Sequence, residues 1–525
     1  MKKNIWLLIF ILGVVFSSCT EPSPKKKADD KTVIAYSELY RPQVHFTPPA
    51  KWMNDPNGMV YFDGEYHLFY QYYPDSTVWG PMHWGHAVSK DLMHWEHLPI
   101  ALYPDSLGYI FSGSAVVDDN NTSGFGKDGK VPLVALFTYH NMKQEKAGRN
   151  DYQTQGIAFS LDKGRTWEKY KENPVLKNPG IRDFRDPKVS WNDASKKWIL
   201  TLATLDCITF FSSPDLKNWT KQSEFGKGMG GHSGVWECPD LFPIKVEGSD
   251  LEKWVLLVSI NPGGPNGGSA TQYFVGNFDG KVFTNERKIP EPRWIDSGKD
   301  NYAGVTWSGI PKTDGRRLFL GWMSNWQYAT VVPTQAWRSA MTIPRELKLV
   351  QVADEEYAIK GYPTSEFENY GAKWDDLLSN PGQFQSVSLA QFALGKAAAF
   401  DYSVELDPSE SSKTTIQLSN NFNETFDIVL DKTIQQIRIN RMKSGDVSFN
   451  PEFQKEILVP VNLIDHVKIR LVIDQASVEM FIDGGLTEIT NIVFPKEIYN
   501  KVDIRSDQKF SVFSSKVRKL NSIWH

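Results

Sequence analysis

Cysteine is scarce: three in 525 residues cannot make a disulfide framework. Cys207 and Cys238 stand in no zinc-like spacing and are expected as two buried thiols rather than a bridge. An excess of one charge is missing too. The 58 basic and 62 acidic residues leave −4, so no field gathers nucleic acid and the substrate is not expected to be a polyanion. The apolar run from Ile5 to Phe16 is too short for a comfortable membrane span. The glycine-rich stretch from Asn261 to Ser269 lacks the Lys-Ser/Thr of a phosphate loop and reads as a loop at a cleft rim. His83/His86 and His94/His97 have no clear third ligand, so neither a metal nor another cofactor is expected. Sustained helical periodicity is almost absent between Leu39 and Val350.

At the N-terminus, Lys2 and Lys3 precede that short apolar run, and Ser17-Ser18-Cys19 follows it. A basic start, an apolar core and small residues make a signal peptide. Its end resembles the lipobox of bacterial lipoproteins, with Phe16 standing where leucine is usual. The resemblance implies lipidation at Cys19, an exported chain held at a membrane by its lipid only, and a flexible polar tether over residues 20–38.

Aromatic residues and carboxylates near proline are what the chain has in quantity. There are 18 Trp, 20 Tyr and 30 Phe, side chains that favour strands and offer flat faces to sugars. Trp52-Met53-Asn54-Asp55-Pro56-Asn57-Gly58 leads into a hairpin pattern turned by Asp63-Gly64, which puts Asp55 at the entrance of a strand. Asp186-Pro187 and Glu237-Cys238-Pro239 open similar strand–turn–strand units, and further units begin near 111 and 300. A Ser-x-Asp, turn, Trp motif recurs at Ser89–Trp95, Ser160–Trp167 and Ser213–Trp219. Five units of this size predict an all-β chain with a five-bladed β-propeller over 39–350. In a propeller the first strand of each blade lines the axis, so Asp55, Asp186 and Glu237 are expected in one funnel. Residues 351–378 are expected as a linker with a short helix, and the alternating pattern over 379–525 as a β-sandwich.

Paired carboxylates among aromatics suit glycoside hydrolysis, in which one attacks or stabilises while the other protonates the leaving oxygen. Arg185 beside Asp186 is expected to keep that aspartate ionised, and crowding is expected to raise the pKa of Glu237. The stretch Trp52–Gly58, with Phe184-Arg185-Asp186-Pro187 and Trp236-Glu237-Cys238-Pro239, resembles the three signatures of glycoside hydrolase family 32, the invertases, inulinases and levanases. Phe111–Ser114, His83–His86 and Ser477–Phe481 share the likeness. The resemblance implies a propeller followed by a sandwich. It also implies Asp55 as nucleophile, Glu237 as acid/base and Asp186 as the carboxylate that steadies the transition state. Asn54, Gln71, Trp79, Phe111, Ser112, Arg185 and Trp322 match positions that shape a fructose pocket. The run from Trp79 to His86 resembles exo-acting members. The expected activity is retaining, exo-acting cleavage of β-fructofuranosidic bonds in levan or inulin, and of sucrose. A fructosyltransferase using the same residues, or a non-catalytic carbohydrate-binding lipoprotein, is the rival reading.

Overall fold

The computed structural model describes residues 36–378, 380–391, 399–463 and 466–524. The signal segment, Cys19 and most of the tether lie outside the described residues. From Tyr36 onward the chain is one compact unit. No described helix is long and apolar enough to cross a membrane.

Five small antiparallel sheets form the first part. Their opening strands are Lys51–Phe62, Tyr109–Val117, Phe184–Asn192, Val235–Lys245 and Tyr302–Thr306. Each touches the opening strand of the next sheet, and the last touches the first, which closes a five-bladed propeller. Trp337-Arg338, from within the fifth blade, adds a parallel strand beside Lys51 and Trp52 and fastens the ring. The hairpin at Asp63-Gly64 has positive φ at both residues, the type I′ requirement that this dipeptide meets at low cost.

The recurring Ser-x-Asp…Trp motif makes the turn between third and fourth strands in the first three blades. In the first, the Asp91 carboxylate accepts from the backbone N–H of Met93 and His94, and the Trp95 indole donates to the carbonyl of Leu92. Asp215 and Trp219 repeat the arrangement in the third. A polar residue thus satisfies the turn backbone while the indole covers the blade edge.

The propeller extends further than its sequence pattern implied. Arg345–Ala353 and Glu356–Pro363 are the outer two strands of the fifth blade, so 351–363 belong to a sheet and not to a linker. The connecting helix is a single turn, Ser365–Glu368. Beyond it, the strand Lys501–Leu520 pairs with Lys413–Ser419 along its first half and with Ala399–Asp407 along its second. One long strand thereby joins two sheets whose inner faces share a continuous apolar core, including Phe400, Ile416, Ile428 and Leu471.

Buried ions join the two parts. Arg345 of the fifth blade ion-pairs with Asp296, Glu479 and Glu488. His45 sits between Asp474 and Glu479 at 2.7 and 2.8 Å. Burial alone would lower the pKa of His45, but its two carboxylate partners outweigh burial and lift it to about 9. Arg441 of the sandwich reaches Asp300 of the propeller at 2.6 Å.

Candidate active site

The opening strand of every blade carries a β-bulge near the axial mouth. The irregularities fall between Met53 and Pro56, Ile110 and Gly113, Glu237 and Asp240, and Tyr302 and Val305, and in the third blade opposite Thr201–Ala203, at Asp186-Pro187. A bulge bends its strand and re-aims a side chain, so each blade turns one or two residues into the funnel. Asp55 therefore lies within a continuous strand at a bulge, rather than at a strand entrance. Gly58, with φ of +57°, allows the second irregularity of that strand, where a Cβ would lie 2.7 Å from the Phe69 ring. Asp186 and Cys238 adopt left-handed φ of 63° and 45°, a conformation that costs a non-glycine residue on the order of 1–3 kcal/mol.

These side chains line a cavity of about 520 Å³. Asn54, Asp55, Gln71, Trp79, Phe111, Ser112, Arg185, Asp186 and Glu237 all face it. The Asp55 carboxylate accepts from Ser112 Oγ at 2.7 Å and from Asn54 Nδ2 at 3.0 Å. Cys238 lies beneath two carboxylates: its backbone N–H donates to Asp186 Oδ2 at 3.0 Å, and its thiol lies 3.5 Å from Asp55 Oδ2. Cys238 and Cys207 are both free thiols, and Cys207 is half-exposed rather than buried.

Arg185 does not serve its neighbour as expected. Its guanidinium donates to Asp183 Oδ1 and Glu237 Oε1, both at 2.6 Å, while its nearest approach to Asp186 is 3.9 Å. Burial raises the Asp186 carboxyl, Arg185 only partly offsets this, and Glu237 and Asp55 add repulsion, so it reaches about 7. Glu237 is also raised, first by burial and then by Asp55 against the opposing pull of Arg185. The Tyr302 hydroxyl donates to its other oxygen, Oε2. Three carboxylates, Asp183, Asp186 and Glu237, thus lie around one guanidinium in a partly dry cleft with Asp55 near by, which favours retention of a proton near neutral pH.

Trp322 departs from expectation. It is wholly buried, its ring 5.0 Å from that of Trp326, and Trp326 is the tryptophan that lines the cavity. Also absent from the sequence-derived set are His140, Met142, Glu145, Tyr152, Gln153, Asp183 and Asn261. Gln153 Nε2 donates to His140 Nδ1, which leaves His140 Nε2 to donate to Glu145 at 3.1 Å. His140 stacks on Phe111 at 4.2 Å, and burial lowers its pKa, so its ring is neutral. Tyr302 could have been found by register, since it occupies at its bulge the place that Glu237 occupies in the preceding blade. Asn261 fits the expected rim loop, although that loop also reaches the sandwich, where Asn266 donates to the carbonyl of Leu458.

Comparison with known proteins agrees with this geometry. The sequence model of the glycosyl hydrolases family 32 N-terminal domain matches residues 45–361, and that of the family 32 C terminal matches 373–523. A levanase of Bacillus subtilis is 48% identical over 498 residues, covering 93% of this chain and 72% of that protein. An extracellular exo-inulinase of Aspergillus niger is 41% identical, covering 88% of this chain and 90% of its own length. The crystal structure of an exo-inulinase from Aspergillus awamori superposes with a TM-score of 0.84 at 36% identity, covering 93% of this chain and all of that one. With both domain signatures in order, five blades and a sandwich, and carboxylates gathered at the axial mouth, the chain belongs to family 32 of the glycosyl hydrolases.

Proposed function

We propose that this protein hydrolyses β-fructofuranosidic bonds of fructans such as levan and inulin, and of sucrose, by a retaining, exo-acting mechanism. The observation that carries the reading is the convergence of Asp55, Asp186 and Glu237 on one cavity whose axial floor narrows to a void of about 10 Å³. A funnel closed below admits a chain end and has no passage for a chain running through it. The levanase and exo-inulinase relatives support the substrate class.

Glu237 protonates the departing glycosidic oxygen while Asp55 attacks the anomeric carbon, which breaks the glycosidic bond and forms a fructosyl ester. Ser112 and Asn54 hold the Asp55 carboxylate in place. Asp186 accepts hydrogen bonds from sugar hydroxyls. Those bonds favour its ionised form, so substrate binding leaves the pocket's proton on Glu237, where the leaving group requires it. Glu237 then removes a proton from water as that water attacks the ester, releasing fructose and restoring both groups. Asn54, Gln71 and Arg185 complete the polar lining around the terminal fructose, with Trp79, Phe111 and Trp326 as its walls.

Export fits the extracellular relatives, and lipid attachment at Cys19 would hold the enzyme at a membrane. The test of the activity is the early product profile. Levan and inulin should release free fructose alone, and a ladder of short fructo-oligosaccharides appearing before free fructose would contradict exo action.

A further inference from the structure

Tyr302 carries a hydroxyl that the mechanism above leaves unused. The residue begins the opening strand of the fifth blade, is buried, and does not line the cavity. Its backbone pairs with Trp322, and its ring meets the Trp322 indole edge-on at 6.3 Å. Phenylalanine would fill that space equally well, so packing does not account for the hydroxyl. The bulge accounts for where it points. Ala303 and Cys238 adopt left-handed φ of 53° and 45°, and each follows the side chain that its blade turns to the axis, Tyr302 and Glu237. The two opening strands are neighbours, so the phenol meets the carboxylate.

The two oxygens of Glu237 are held differently. Oε1 accepts from Arg185 Nη2 at 2.6 Å and from Arg185 Nε at 3.2 Å, and two donors on one cation fill its acceptor directions. Oε2 accepts from the Tyr302 hydroxyl, which leaves its second direction for the cavity that Glu237 lines. Oε2 is therefore the oxygen that carries the acid proton. The other groups that face Glu237 are Asp55 from the first blade, Asp183 and Asp186 from the third, and the Cys238 thiol on its own strand. The carboxylates favour a neutral Glu237, and only Arg185 and Tyr302 favour its ionised form. A hydrogen bond donated to a carboxylate is stronger than one donated to the neutral acid, so the phenol helps the proton to leave.

We propose that Tyr302 is a positioning residue for the acid/base step: its hydroxyl keeps the transferable proton on Glu237 Oε2, aimed at the glycosidic oxygen, and stabilises the carboxylate left when that proton departs. The inference rests on Glu237 being the acid/base of the function proposed above. The proton passes from Oε2 to the glycosidic oxygen as the bond between that oxygen and the anomeric carbon breaks and its electron pair goes to the oxygen. Tyr302 keeps its own proton and donates throughout. The same hydrogen bond holds Oε2 in place to take a proton from water when the fructosyl ester is cleaved.

The test is the pH dependence of kcat/KM on sucrose in the full chain. Tyr302→Phe removes the donor and keeps the ring. Its basic limb should move up by about one pH unit, as the loss of a hydrogen bond to a charged group requires. At the optimum kcat/KM should fall on the order of 10–100-fold, with an unchanged Tm. The fall should be much smaller on an aryl fructofuranoside, whose leaving group needs no proton. If Tyr302→Phe fails to fold, replacement of Tyr302 by 3-fluorotyrosine, whose hydroxyl is the stronger donor, should move the limb down. A purely structural role would move the limb in neither variant. A limb that stays in place, or equal losses on the two substrates, would overturn the proposal, and loss of the limb in Glu237→Gln would then leave the acid/base reading standing. A limb that survives Glu237→Gln would overturn both.

Discussion

The funnel mouth and the seam between propeller and sandwich are built from the same costly material, buried carboxylates that outnumber their cations, and differ in whether a cavity reaches them. In the funnel, Asp183, Asp186 and Glu237 share Arg185 with Asp55 beside them, and Asp186 and Glu237 are both driven toward the protonated form. In the seam, Asp296, Asp300, Asp474, Glu479 and Glu488 meet Arg345, Arg441 and a charged His45, sealed from solvent, and burial lifts Glu488 to about 8 despite Arg345. A cluster short of cations and open to a cavity can hold and release a proton. One short of cations but sealed from solvent has no route to pass a proton on, and it holds two domains in register. Burial of charge alone therefore does not mark a site; shortage of counter-charge together with access does.

Substitutions should separate the two regions. Asp55→Ala should lower kcat/KM by about 10⁴-fold or more with no change in Tm, because it removes a reacting group and relieves crowding. Arg345→Met should do the reverse. Leaving three buried carboxylates without their cation should cost on the order of 3–5 kcal/mol of stability, seen as a lowered Tm or urea midpoint, with kcat per folded molecule retained. Loss of catalysis without loss of stability in Arg345→Met would erase the distinction.

Trp326→Ala should raise KM several-fold and spare stability. Trp322→Ala, in the packed layer behind, should cost about 3–5 kcal/mol. Their exchange of roles marks the limit of what residue order can show. The five units, the three carboxylates and most of the pocket are legible because strand–turn–strand patterns recur along the chain and a carboxylate near proline opens three of them. Trp322 and Trp326 differ by four positions at a strand end, where a local motif cannot tell a wall from the layer behind it. Asn261 and His140 reach the cavity from the last positions of the strands Glu252–Asn261 and Leu133–His140, where no local motif marks them. The last two strands of the fifth blade went unread because their alternating pattern, Glu356–Pro363 especially, is indistinguishable from that of the sandwich that follows. The role of Arg185 was misjudged for a related reason. Adjacency in sequence suggested Asp186 as its partner, whereas the left-handed bulge turns the two side chains apart and the guanidinium reaches across to the next blade.

The seam should also show a smaller, pH-dependent signature. His45 is raised from 6.5 to about 9, so its contribution to stability is fully present below about pH 6.5 and fades as pH rises through 9. Thermal stability of the native protein should therefore fall across that window, and His45→Gln should flatten the decline. A decline that His45→Gln leaves unchanged would assign it to another group.

The central claim is that the charge-poor funnel keeps its proton on Glu237 for the leaving group, and leaving-group dependence tests it most directly. Glu237→Ala should be compared with the native enzyme on sucrose and on an aryl fructofuranoside whose phenolate departs without help. The account predicts a loss of several orders of magnitude in kcat/KM on sucrose and a much smaller loss on the aryl substrate, where protonation is no longer needed. Equal losses on both substrates would contradict it.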